Sequence, residues 1–306
     1  MAEQPEVART TFSRRQPGAL ASASPLTVGF VGSGRAAGAL ARSLARHRHT
    51  VLVAARGASA AALAERLGSA PVDPAAVLRR ADVTLLAVPD GRIAQVAAEL
   101  APNVPFGRGR VVAHLAGSLG PEALAPLAAR GYTTAALHPL QVMSGWRIPP
   151  GTRFAVEAAE EARLILRRLI NDLGGEELAL PTGSRGAYHA AAVITANLGM
   201  TLLAEAVDLM EGAGLDREEA LQGLAGLSRG GLEASLDRGL PAALTGPVTR
   251  GDVETVRAHL ELLRDDPAML DAYRAVSRLA LRQARLDGRP DPDKAQAMES
   301  LLEDKP

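Results

Sequence analysis

Two histidines end short apolar runs: His114 in VVAHLAGS and His138 in AALHPLQ. Imidazole changes charge near neutrality and passes protons to a reacting group. At the carboxyl end of a buried strand it would face a ligand crevice. His138 is therefore the leading acid/base candidate, and His114 the second. Ser118 and Gln141 follow them closely in the same turns. A third polar cluster lies in AYHAAAVITANL, where Tyr188, His189 and Asn197 interrupt an apolar helix. His189, Val193 and Asn197 have the i, i+4, i+8 spacing of one helix face. Two readings of that stripe stand side by side, hydrogen bonding between buried helices or closure over a substrate; in the second, Asn197 joins the catalytic candidates. Arg185 and Arg250 offer guanidinium forks for a substrate carboxylate.

A second group of residues suits phosphate. LTVGFVGSGRAAGAL, from Leu26 to Leu40, reads as a buried strand, a tight glycine turn and a helix start. Glycines let the backbone approach phosphate oxygens, and the first helical turn offers unpaired N–H donors. The pattern is GxGxxA, with Ala37 at the usual third glycine and Gly38 after it. Gly32, Ser33, Gly34, Arg35, Ala36 and Ala37 are the expected cofactor contacts. Val88 and Pro89, ending VTLLAVPD, and Ala116 of HLAGS are expected beside the nicotinamide ribose.

The cofactor's second phosphate is read from the next strand. NAD enzymes place a carboxylate at its end for the ribose 2′-OH. Here VLVAARGAS has none, and Arg56 occupies the position, followed by Ser59. A guanidinium suits a 2′-phosphate. The expected cofactor is NADP(H).

These residues need a scaffold, and hydrophobic periodicity supplies one. Residues 25–90 read as strand, helix, strand, two helices and strand. Further strands are expected over 110–115, 133–137, 153–157 and 177–180, with helices over 91–100, 119–130 and 159–173. That is an α/β, Rossmann-type doubly wound sheet ending near Pro181. From Ala187 the chain reads as all-helical: a long apolar helix to Glu211, then helices over 216–228, 229–238, 253–264 and 266–287. The expected domains are a dinucleotide-binding domain over 25–181 and a helical substrate and dimerisation domain over 182–290. Tails are expected over 1–24 and 291–306, the latter with a short helix. His189, Asn197, Glu205 and Asp208 argue against a membrane span for the long helix. A helix apolar all round belongs in a large core or an oligomer interface, which points to a homodimer.

Composition narrows the classes. Lys+Arg and Asp+Glu are 34 each over 306 residues, so no nucleic acid or anionic membrane is called for. There is no cysteine, which excludes disulfides, thiolate catalysis and Cys-ligated metal. The histidines show no metal spacing, and no metal is expected. Residues 1–24 lack the apolar core of a secretory signal, and a cytoplasmic location is expected.

The pieces VGFVGSGRAAGAL, TLLAVPD, VVAHLAGS, ALHPLQ, AYHAAAVITANL and LTGPVTRGD span about residues 26–260. In that order they resemble the Rossmann-like oxidoreductases that carry an all-helical C-terminal domain. These are related to pyrroline-5-carboxylate reductase, ketopantoate reductase, prephenate dehydrogenase and the deazaflavin-dependent NADP oxidoreductases. The resemblance implies a C-terminal domain of the 6-phosphogluconate-dehydrogenase-like kind. It also implies hydride transfer to or from a small carbonyl or imine, with Ser118, Gln141, Arg185, Tyr188, His189 and Arg250 on the substrate side. Where that family has a lysine before the YHAAA tyrosine, this chain has Arg185, which stays protonated and cannot donate a proton. A nucleotide-binding sensor or scaffold without redox chemistry is the other reading, and a deazaflavin-linked enzyme a third.

Overall fold

The computed structural model describes residues 24–54, 58–68, 70–143, 145 and 147–303. Residues 1–23 of the expected tail and Arg56 lie outside them. The chain divides into two units, the first ending at Ala192 and the second starting at Val193.

The first unit is a seven-stranded sheet: β1 (Thr27–Val31), β2 (Thr50–Ala54), β3 (Val83–Leu86), β4 (Val111–His114), β5 (Thr133–Pro139), β6 (Arg153–Ala158) and β7 (Glu176–Ala179). Their order is β2-β1-β3-β4-β5-β6-β7. β1 pairs parallel with β2 and with β3, and β3, β4 and β5 continue in parallel. The chain leaves β1 for β2 on one side and returns to β3 on the other. That switch opens a crevice at the carboxyl ends of β1 and β3. β6 runs antiparallel to β5, and β7 parallel to β6.

Strand alternation sends neighbouring side chains to opposite faces. Val28, Phe30, Leu85 and Ala113 join one apolar cluster with residues of α1 (Arg35–Arg46), α2 (Ala58–Arg66) and α6 (Glu160–Asp172). Val31, Leu86 and Val112 join the other, with α3 (Pro74–Arg80), α4 (Ile93–Leu100) and α5 (Ala125–Ala128). Asp73 caps α3 by accepting from the Ala76 N–H at 3.1 Å, with Pro74 as first helical residue. The helix expected over 119–130 is shorter: a 3₁₀ turn at Pro121–Leu124 and then α5.

α7 (Arg185–Val193) leads through a π turn at Ile194–Leu198 into α8 (Gly199–Gly212). The unit boundary falls inside this run. The second unit continues with α9 (Arg217–Arg238), α10 (Leu240–Ala243), α11 (Pro247–Arg250), α12 (Val253–Leu262), α13 (Pro267–Arg285) and α14 (Pro292–Glu303). Asp216 and Asp252 accept from backbone N–H groups in the first turns of α9 and α12. α9 is one helix where two were expected, running unbroken through Gly230 and Gly231. The segment expected as a tail is α14. Its Ala295, Met298, Leu301 and Leu302 are buried with Val256, Leu260 and Leu281, so it belongs to the core of the second unit.

Candidate functional site

The glycine turn is built for close approach. Gly32 has φ +117°, and a side chain there would meet the Ala87 carbonyl oxygen at 2.2 Å. Only glycine combines that backbone with that contact. Its N–H donates to the Ala54 carbonyl at 2.8 Å, tying the turn to the end of β2. Gly34 caps α1 in extended conformation, with open space where a side chain would stand. The first in-helix bond back to the cap comes from the Gly38 N–H, so the N–H groups before it keep the donor capacity of a helix start. Arg35 and Pro89 are exposed and Ala36 half-buried. The Ala37 side chain is fully buried in the α1–sheet core, where it serves close helix packing. A cavity of about 560 Å³ opens beside the turn, bounded by Val31, Gly32, Ala54 and Val88 and continuing between α3 and α4. The turn, the helix start and the cavity together fit a dinucleotide.

The two histidines at strand ends differ. His114 is fully buried, and both ring nitrogens are engaged by its own loop. Nε2 bonds the Gly120 carbonyl at 2.9 Å, and Nδ1 accepts from the Ala116 N–H at 3.2 Å. That pattern fixes the neutral Nε2–H tautomer, and burial holds its pKa below the ordinary value. His114 is a loop staple with no nitrogen left for a substrate, which corrects its expected catalytic part. Ala116 is likewise buried, with its carbonyl turned to Arg185.

His138 is half-buried, and its Nδ1 lies 2.7 Å from the Tyr188 hydroxyl. Burial, then the neighbouring His189, Arg185 and His114, lower its pKa to about 4. Burial raises that of Tyr188. Both groups are therefore neutral at pH 7. One hydrogen bond joins them and one transferable proton remains. It leaves from Nε2 if Tyr188 donates, and from the phenol oxygen if His138 donates.

His189 stands edge-on to His138, ring centres 6.2 Å apart. Its Nδ1 is buried with no hydrogen-bond partner. A side chain on Gly117 would lie 2.3 Å from that Nδ1 and 3.2 Å from His138 Nε2. The missing side chain at Gly117 thus seats both rings against the loop after β4. Ser118, next to Gly117, and Gln141, three residues after His138, are exposed.

Arg185 is only 3 % exposed. Its Nε donates to Glu157 at 3.0 Å. Its Nη1 reaches the carbonyls of Ala116 and Gly117, and its Nη2 those of Ala136 and Ala155. Every nitrogen is committed, so Arg185 cannot hold a substrate carboxylate as expected. It fastens α7 to the loop after β4 and to β5 and β6, and thereby positions Tyr188 and His189. Asn197 lies on the π turn and Arg250 at the end of α11, both exposed and both in the second unit. Among the described residues no group of three or more His, Asp or Glu side chains could hold a metal.

Residues 15–139 match the model of a Rossmann-like domain, and residues 152–280 that of a domain of unknown function, DUF2520. The chain pairs a Rossmann-like domain with a DUF2520 domain. No curated protein matches the sequence. Among solved structures, protein BF3122 from Bacteroides fragilis is 23% identical, with TM-score 0.68 over 84% of this chain and 98% of its own. A pyrroline-5-carboxylate reductase from Coxiella burnetii is 15% identical, with TM-score 0.59 over 91% and 99%. An imine reductase from Myxococcus stipitatus in complex with NADP+ is 18% identical, with TM-score 0.62 over 84% and 94%. At these identities the likeness shows the fold. The DUF2520 model begins at Thr152, so it takes in β6, β7 and the whole of α7 with Arg185, Tyr188 and His189.

Sequence reasoning missed Glu157, Gly117 and the α3–α4 side of the cavity. The loop glycine and the half-buried carboxylate had no local signal. Each matters through a partner distant in sequence.

Proposed function

We propose that this Rossmann-like–DUF2520 chain is an NADP(H)-dependent oxidoreductase acting on a small carbonyl or imine. One juxtaposition carries the reading: the glycine turn and the neutral His138–Tyr188 pair lie at the carboxyl ends of strands in one sheet. The nicotinamide would supply or accept the hydride. Gly32, Gly34, Arg35 and the first turn of α1 would hold the diphosphate, and Arg56 the 2′-phosphate. His138 and Tyr188 would deliver a proton to the oxygen or nitrogen as its charge develops. Neutral donors suit that step, because neither needs to be charged at pH 7. Arg185 keeps the loop after β4 in place beside the pair.

The solved relatives named as pyrroline-5-carboxylate and imine reductases support this chemistry. The reading is tested by following NADPH absorbance with a panel of ketones, keto acids and cyclic imines. Consumption with one class, and none with His138→Ala, is the expected result. NADPH binding without consumption by any class would favour a nucleotide-binding sensor.

The chain would work as a homodimer through the long helix. Ile194, Leu198, Met200 and Leu209 are exposed along it, and Arg185–Gly212 is long and apolar enough to cross a membrane by length and composition alone. Arg185, which fastens the start of this run to the sheet, and the polar residues along it favour a second protein surface as its cover.

A further inference from the structure

A pair that gives up one proton per turnover must get it back. The neighbours of His138 limit how. Its Nδ1 is taken by the Tyr188 hydroxyl at 2.7 Å, so exchange with anything else runs through Nε2. Besides Tyr188, the ionisable side chains that bear on His138 are those of His189, Arg185 and His114. His114 has both ring nitrogens bound within its own loop. Arg185 stays protonated, and its donors are spent on Glu157 and backbone carbonyls. His189 is left. Its ring stands edge-on to His138, and its Nδ1 is buried with no hydrogen-bond partner, a state that buried polar atoms rarely keep. The spot where a Gly117 side chain would begin is 2.3 Å from His189 Nδ1 and 3.2 Å from His138 Nε2. Both nitrogens border that spot, and with glycine at 117 no side chain separates them. His189 as a residue is half-buried, and Nδ1 alone of its nitrogens is buried without a partner, so Nε2 opens to solvent.

We infer that His189 is the positioning residue that reloads the His138–Tyr188 pair, carrying protons from solvent to His138 Nε2. The inference rests on the reading that this pair protonates the substrate. It also fixes the direction of the hydrogen bonds. His189 Nδ1–H points at His138 Nε2, His138 Nδ1–H donates to the phenol oxygen, and the Tyr188 O–H is the proton that leaves. As that O–H bond breaks toward the substrate oxygen or nitrogen, the phenol oxygen takes the His138 Nδ1 proton. His138 Nε2 then takes the Nδ1 proton of His189, and His189 Nε2 takes one from solvent. Once product has left, a proton taken from solvent at the phenol oxygen and another lost at His189 Nε2 reset every tautomer. His189 acts through His138 and not on the substrate itself.

The first test needs no substrate. In the full chain with ¹⁵N-labelled histidine, long-range ¹H–¹⁵N correlations separate the Nδ1–H tautomer from the Nε2–H form that free imidazole side chains favour. The chain has six histidines, and His138→Asn and His189→Asn assign the signals. Nδ1–H at both His138 and His189 is expected, with His114 as the Nε2–H reference. Nε2–H at His138 or at His189 would overturn the inference and leave the NADP(H) reading standing. The second test uses whichever carbonyl or imine class consumes NADPH. His189→Asn should lower kcat about tenfold, less than loss of the acid itself, with KM for NADPH unchanged. Added imidazole should restore kcat in the variant and leave wild type as it was. An unchanged kcat, or a loss that imidazole does not repair, would overturn the inference. No NADPH consumption with any class would overturn the reading and the inference together.

Discussion

His138 carries the proposed proton transfer, and burial decides how it does so. A charged imidazole is costly where it sits, so its pKa falls to about 4. His138→Ala and Tyr188→Phe should each lower turnover roughly 100-fold, the scale of one general acid–base group. Calorimetry should show NADPH affinity unchanged in both; a parallel loss of affinity would mean a structural part. The same shift has a stability consequence. The unfolded imidazole titrates at its ordinary 6.5, the folded one near 4. Below 6.5 the unfolded chain therefore binds the extra proton first. The stability from neutral His138 is complete above that value and is lost as pH falls toward 4, by at most ~3 kcal/mol. Urea melts of wild type and His138→Asn over this range should show a steeper acid loss in wild type. His138 was legible in the sequence as a polar residue ending an apolar strand. His114 gave the same signal and has a different job, because its partners are backbone atoms of its own loop.

At the level of elements, the start of α7 is fastened by a buried side chain. Arg185 joins it to Glu157 of β6 and to four carbonyls, two in the loop after β4 and one each in β5 and β6. Lysine keeps the charge but has three donors and no planar fork. Arg185→Lys should therefore cost about 2–4 kcal/mol in denaturant melts, because buried carbonyls lose their donors. A melt within 0.5 kcal/mol of wild type, the scatter of ordinary surface changes, would refute this role. The strands and most helices of the first unit were readable from apolar periodicity and turn residues. The antiparallel setting of β6 was not, since strand direction depends on pairing across the sheet. The break expected between Ser228 and Arg229 does not occur; the glycine pair just after it, Gly230 and Gly231, weakens a helix by only about 2 kcal/mol, which the rest of α9 overrides. The packing of α14 was hidden because its apolar residues are few and meet partners on α12 and α13.

For the whole molecule, the expectation of a two-part chain with an α/β sheet and a helical part stands. The long apolar helix was legible as something needing a cover. In the single chain Leu198, Met200 and Leu209 remain 52 %, 55 % and 44 % exposed. Sedimentation should give a dimer, and Leu198→Glu with Met200→Glu should shift it toward monomer with the sheet unit still folded. A monomeric wild type would refute this. The central claim is that the glycine turn holds NADP(H). Its most direct measurement is calorimetric titration of wild type and Gly32→Ala with NADPH, with NADH as the comparison. The account predicts NADPH binding at least about tenfold tighter than NADH. It also predicts loss of that binding in Gly32→Ala, where the new side chain meets the Ala87 carbonyl. No binding of either nucleotide to wild type, or full NADPH affinity in Gly32→Ala, would contradict it.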